Sequence, residues 1–294
     1  MKYLVAMLAL AMPLIGWLSN SRLIGPSNGE ISDRYPTLIV AAGYAFAIWG
    51  PIFLLDLVYG LRQSMAEDAV RLRRIRALSA AGFALTSAWM LVFPAQWFGL
   101  ALAIIWASLA CMLGAAWLAS HTDGHARGPW WQWVPLSLHA GWVSLAVFLN
   151  TAQVIVAHGL LSTSQMLPWT LVLFAGAALL VLTVVVRLKG NPWYAAAAVW
   201  GLVGVYAKQS ESALAGASVA AYVALALAGL TARVVDVEAY ALASDREQWW
   251  LASSRGQVGL LHGGTDGAEP SRSRAPDRDT LVLQIENHWV LMAG

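Results

Sequence analysis

Charge is scarce in this sequence. Asp, Glu, Lys and Arg make up 12% of its 294 residues, against 59% hydrophobic residues. Soluble domains carry about 25% charged and about 45–50% apolar residues. Half that charge density leaves a water-facing surface poorly solvated, so an ordinary soluble globule is excluded and an integral membrane protein is expected. The formal net charge is only +2, so no strong field is aimed at nucleic acid. Cysteine is nearly absent. The single Cys111 rules out an intrachain disulfide framework and argues against a cysteine-based metal centre; its apolar neighbours make it a small buried residue. No nucleotide-binding loop, Ser-His-Asp constellation or metal-ligand cluster stands out, so no catalytic residue and no metal site are assigned. "HTDGH" (His121–His125) has two His and one Asp, but in a loop between apolar runs it reads as a solvated turn.

Long hydrophobic runs and tryptophan are abundant instead. About 20 mostly apolar residues cross the hydrocarbon layer, with about 17–25 observed. Eight runs qualify: 3–19, 37–61, 77–93, 98–119, 133–157, 167–187, 192–208 and 212–232. The first resembles a signal peptide in having Lys2 before its apolar core. "WLSNSR" offers no small-x-small cleavage site, so an uncleaved helix is expected. Pro94–Trp97 is short enough to join two spans as a helical hairpin. Pro51 falls inside the second run, where a kink and a freed carbonyl are expected.

Basic residues set the orientation. With the N-terminus cytoplasmic, cytoplasmic segments hold Lys2, Arg62, Arg71, Arg73, Arg74, Arg76, Arg127, Arg187, Lys189 and Arg233, and the opposite loops hold Arg22, Arg34 and Lys208. This favours eight spans with both ends inside, in a bacterial inner membrane. After residue 233 the character changes. "GGTDGAEPSRSRAPDRD" (Gly263–Asp279) reads as a disordered linker within a largely disordered cytoplasmic tail, 236–294. The closing "TLVLQIENHWVLMAG" is too short to span; strand, surface helix and no ordered structure all fit it.

Each of the sixteen tryptophans has interface anchoring as its ordinary role. Several lie instead on shared helix faces, taking about 100° per residue. His139, Trp142, Ala146 and Asn150 share one face of the fifth run; Trp49, Phe53, Asp56 and Gly60 share one of the second. Gly82, Thr86, Trp89 and Phe93 align on the third, and Trp106, Leu113 and Trp117 on the fourth. Helix packing explains each alone. Together they describe an aromatic site with a few convergent polar groups, suited to a flat hydrophobic ligand.

"WVSLAVFLN" (Trp142–Asn150) resembles the Trp-x-x-Phe-Ala-x-x-Leu-Asn signature of the TspO/MBR family, the tryptophan-rich sensory and translocator proteins. "FAIWGPIFLLDLVYGL" (Phe46–Leu61) is similar to its second helix and "LTSAWMLVF" (Leu85–Phe93) to its third. Thr86 stands in the place of a third-helix Asn, His139 in that of a Tyr, and Leu138 in that of the preceding Pro. The resemblance covers residues 1–160 or so. It implies an all-α membrane bundle of five TspO-like helices, often dimeric. About three additional helices follow at 161–235, as in longer relatives that "SDRYPTLIVAAGYAFAIWG" resembles.

The resemblance also implies tetrapyrrole binding, of haem or protoporphyrin, as a ligand and not an obligatory cofactor. By motif, Trp49, Phe53, Trp89, Trp142, Ala146 and Asn150 form the pocket; Asp56, Thr86 and His139 add polar groups from the shared faces. His139 is a candidate haem ligand, with a hydrogen bond to a neighbouring helix as its ordinary role. The expected function is a membrane receptor or carrier. The alternatives are a proton-coupled transporter using Asp56, His139 and a Lys208–Glu211 pair, an enzyme that degrades porphyrin, and a scaffold docking through Trp249–Trp250.

Overall fold

The computed structural model describes residues 1–23, 25–121, 128–254, 280–285 and 288–293, with residues 242 onward described by backbone course alone. Nine α-helices occur among them: α1 (Lys2–Asn20), α2 (Asn28–Arg34), α3 (Trp49–Met65), α4 (Val70–Val92), α5 (Phe98–Ser120), α6 (Trp130–Ala157), α7 (Met166–Arg187), α8 (Pro192–Ser210) and α9 (Ala217–Ser254). The chain is a multi-pass membrane protein. Seven helices among the described residues are long and apolar enough to cross a bilayer; α8 falls short of that hydropathy. Trp17, Trp97, Trp130 and Trp193 sit exposed near helix ends, where an indole suits the headgroup boundary.

α6 is the centre. It packs against α3, α5, α7 and α8, and every residue from Val134 to Asn150 is buried. α1 packs on α3 and α4, and α4 on α5. Residues 93–97 join α4 to α5 as the expected short hairpin. Arg76, expected in a cytoplasmic loop, lies within α4 and is buried. Its guanidinium donates to Gln63 Oε1 at 2.8 Å and to the Gln63 and Ala66 carbonyls, and it pairs with Asp68. Arg76 therefore satisfies the carbonyl end of α3, where cations are favoured. Cys111, expected to be buried, is half-buried. Trp106 and Trp117 are each 40% exposed, and Trp106 meets Phe148 of α6 edge-on at 5.6 Å, so the aromatic face of α5 lies at the rim of the bundle.

The second apolar run differs from a kinked helix. Residues 36–42 are irregular, a 3₁₀ turn follows (Gly43–Ile48), and α3 begins at Trp49. Pro51 lies in the first turn of α3, where no backbone donor is needed, so it starts a helix and does not bend one. Thr37–Ala41 is fully buried despite its irregular backbone. Such backbone is tolerated at membrane depth only where protein pairs its polar groups.

α8 supplies those partners. Gln209 Nε2 donates to the Thr37 and Val40 carbonyls at 3.0 and 3.2 Å. The Ala42 N–H donates to the Gly204 carbonyl at 2.9 Å, and Trp200 Nε1 to the Ala45 carbonyl at 2.8 Å. At the opposite end, Asn191 Nδ2 donates to Ser137 Oγ at 2.8 Å, beside the end of α5. The 19 residues of α8 thus run from one end of the bundle to the other, about 28 Å at 1.5 Å per residue. Its low hydropathy reflects a protein-facing surface. A Cβ on Gly141 would overlap the Tyr194 carbonyl, and one on Gly201 would stand 2.8 Å from Leu145.

α2 opens with a capping box. The Ser27 N–H donates to Glu30, holding its carboxyl below the usual range, and the Ser27 hydroxyl accepts from the Glu30 N–H. α9 continues past the expected end at 232. Separately, β1 (Thr280–Ile285) and β2 (His288–Ala293) pair antiparallel, Thr280 opposite Ala293 and Ile285 opposite His288. The linker Gly263–Asp279, the loop residues Asp123 and His125, and the side chains of Trp249 and Trp250 lie outside the described residues.

Candidate functional site

The face periodicity of α3, α4 and α6 converges on one place. Trp49 is at its centre. Its ring stacks with Phe53 at 5.4 Å and lies tilted against Trp89 at 6.3 Å. It meets Trp142 and His139 edge-on at 6.2 and 5.7 Å. Phe93 stacks on Trp89 at 4.9 Å and Phe46 meets Trp142 edge-on at 6.0 Å. Offset and T-shaped pairs at these separations are the favoured aromatic geometries. Trp142 and Asn150 therefore flank a single cluster, joined through Trp49 and Trp89.

Polar groups edge the rings. Trp89 Nε1 donates to Asn150 Oδ1 at 3.0 Å, and Asn150 Nδ2 donates to the Ala146 carbonyl at 2.9 Å. Ala146 thus contributes its backbone as well as its small side chain. Asp56 Oδ2 lies 2.7 Å from His139 Nδ1, with both side chains fully buried. His139 Nε2 lies 3.2 Å from the Thr86 hydroxyl, which is 2.8 Å from the Ser108 hydroxyl. Ser108 donates onward to the Gly82 carbonyl at 3.2 Å. This chain links α3, α6, α4 and α5. Phe83 stacks on the His139 ring at 5.8 Å.

Ser108 gives its one hydrogen to the Gly82 carbonyl and Thr86 gives its own to Ser108, so His139 Nε2 is the donor to Thr86 and Nδ1 shares a proton with Asp56 Oδ2. Both ring nitrogens are engaged, so iron ligation by His139 would require Thr86 to release Nε2. Three buried polar atoms here have no hydrogen-bond partner among the described residues: Trp49 Nε1, Trp142 Nε1 and Asp56 Oδ1.

All nine residues singled out in the sequence, Trp49, Phe53, Asp56, Thr86, Trp89, His139, Trp142, Ala146 and Asn150, fall into this connected set. Phe46, Phe83, Phe93 and Ser108 belong to it too. Phe93 shares the face of Trp89, and that was its signal. Ser108 had only a faint one, a lone hydroxyl in the apolar run of α5. Phe46 had none, because it precedes α3 in the 3₁₀ turn. The Lys208–Glu211 pair does not form. Lys208 Nζ reaches Asp33 on α2 at 2.7 Å, because Glu211 lies beyond the last turn of α8. Among the described residues no group of three or more His, Cys, Asp or Glu side chains is placed to hold a metal.

Fold and centre together define a class: a polytopic helical membrane protein built around an aromatic, polar-edged cluster on its innermost helix. The chain belongs to the TSPO-like protein family, whose model matches residues 2–235. The match runs through α7, α8 and α9 as far as residue 235, so the added helices are part of what the family shares. Searches of curated proteins and of solved structures found no match.

Proposed function

We propose that this protein is a membrane receptor or carrier for a flat hydrophobic ligand, a tetrapyrrole such as haem or protoporphyrin, held at the Trp49–Trp142 cluster. One observation carries the reading. Two indole N–H groups are buried without partners among the described residues, between stacked and edge-on rings. A buried donor left unmade costs about 1–3 kcal/mol, a cost that functional sites bear. A macrocycle offers faces for the rings and acceptor groups for the two donors. Eight crossings, with both ends of the chain on the side of Lys2, complete the reading. Gln63 on α3 contacts the Lys2 carbonyl, and Arg71 reaches the His121 carbonyl at that same end.

The test is a titration of protoporphyrin IX into the detergent-purified chain, read by Trp fluorescence and the Soret band. Saturable micromolar quenching, weakened in Trp142→Ala and Asn150→Ala, supports the proposal. Its absence in folded protein overturns it. A second reading, proton-coupled transport, rests on the Asp56–His139–Thr86–Ser108 chain across four helices. Uptake by proteoliposomes that follows an imposed proton gradient and is lost in Asp56→Asn would favour it.

A further inference from the structure

A cavity lies away from the rings, between the irregular segment before α3 and the far end of α8. Its volume is about 300 Å³, and Asp33, Thr37, Lys208, Gln209 and Glu211 are among its lining residues. Gln209 defines its chemistry. Two carbonyls, those of Thr37 and Val40, consume both hydrogens of its NH₂ group. The amide orientation is therefore fixed, and Oε1 is left as a bare acceptor. That atom and Thr37 Oγ1 are buried with no partner among the described residues, in side chains 1% and 0% exposed.

Charge points the same way. Lys208 is neutralised by Asp33 at 2.7 Å, and Glu211 has no ion-pair partner among the described residues. The lining therefore carries one excess negative charge beside a fixed acceptor. No aromatic ring lines the cavity, so it lacks the cage that a quaternary ammonium needs. A hard divalent cation would share the lining with the Lys208 ammonium, which already holds Asp33 at 2.7 Å and repels a second, doubly charged cation.

We infer that this cavity binds a primary ammonium group, its N–H donors directed to Gln209 Oε1, the Thr37 hydroxyl and the Glu211 carboxylate. The cavity sits where α8 ends and the chain turns toward α9, at the boundary of the bundle. The ammonium can belong to a dissolved small amine or to an aminophospholipid headgroup.

Calorimetric titration of the full chain in detergent tests this. The probes are ethanolamine and dihexanoyl phosphatidylethanolamine, with choline and dihexanoyl phosphatidylcholine as partners lacking N–H donors. The expected result is saturable binding of an ethanolamine compound, at least tenfold tighter than its choline counterpart and weakened at least fivefold in Glu211→Gln and in Thr37→Val. Both variants preserve the fold, since Glu211 is exposed and the Thr37 hydroxyl has no bond to lose among the described residues. Binding of ethanolamine itself identifies a dissolved amine; binding of the short-chain lipid alone identifies a headgroup. Equal affinity for choline compounds, affinity unchanged in both variants, or no saturable binding by any probe overturns the inference. Porphyrin binding is a separate readout, so either site can fail without the other.

Discussion

The two sides of α6 solve different problems. Toward α8 the contact is close and its polar groups are paired. Gly141 admits the Tyr194 carbonyl, the Tyr194 hydroxyl donates to Ser144 at 2.8 Å, and Asn191 holds Ser137. Toward α3 and α4 the contact is bulky and its polar groups are only partly paired. Four tryptophan, phenylalanine and histidine rings surround Trp49, yet its own N–H, that of Trp142 and one Asp56 oxygen have no partner among the described residues. Both sides are equally buried, so burial does not tell a site from a seam. The pairing of polar atoms does: a structural interface closes its hydrogen bonds, and a binding surface leaves some open.

The largest test of that contrast is Asp56→Leu. Removing one member of a buried, hydrogen-bonded pair typically costs about 3–5 kcal/mol. Unfolding in graded detergent–denaturant mixtures should show a loss of that size for Asp56→Leu. The Asp56→Leu/His139→Leu double variant should recover part of it, because no unpaired member then remains. A double variant no more stable than the single would mean that the pair contributes nothing as a pair. On the α8 side the corresponding break is Gly141→Val. Its added methyl groups must displace the Tyr194 backbone, and overpacking costs about 1–3 kcal/mol. The same unfolding series measures it. A variant as stable as the parent would show that α6 and α8 do not approach as closely as Gly141 allows.

Much of the site was legible in the sequence because α3, α4 and α6 are regular helices across it. A 100° step per residue places Trp49, Phe53 and Asp56 together whatever surrounds them. Periodicity also grouped Trp106 with Trp117 as a face but did not place that face at the rim of the bundle, half open to lipid, because it ranks faces without saying which looks at lipid. The irregular segment before α3 was not legible. Its residues are as apolar as a helix, and what keeps them unwound is hydrogen bonding from Gln209, Gly204 and Trp200, more than 150 positions away. Nor was the pairing of two of the departures from the family pattern. Thr86 and His139 each stand where another residue is usual, and the structure brings them within 3.2 Å. The polar edge of the cluster is thus rebuilt as a unit.

Smaller changes sharpen the comparison. Tyr194→Phe deletes one hydroxyl that is bonded on the α8 side. Hydrogen bonds between membrane helices average about 0.6 kcal/mol, with a ceiling near 1.7. A stability loss in that range is expected, with protoporphyrin affinity unchanged.

The matching deletion on the other side is the replacement of Trp142 by its benzothiophene isostere, which keeps the ring and removes the N–H. That donor has no partner among the described residues, so removing it relieves the cost of its burial, and stability should hold or rise, by up to about 1–3 kcal/mol. Protoporphyrin affinity should fall about fivefold, the equivalent of one hydrogen bond of about 1 kcal/mol. The two deletions are alike in chemistry and opposite in readout, which is what makes them decisive together. If the isostere destabilises the protein and leaves porphyrin affinity intact, Trp142 is a packing residue and the seam continues around α6. If it spares stability and weakens the ligand, the unpaired indole donors mark where the helices stop serving each other and begin to serve a guest.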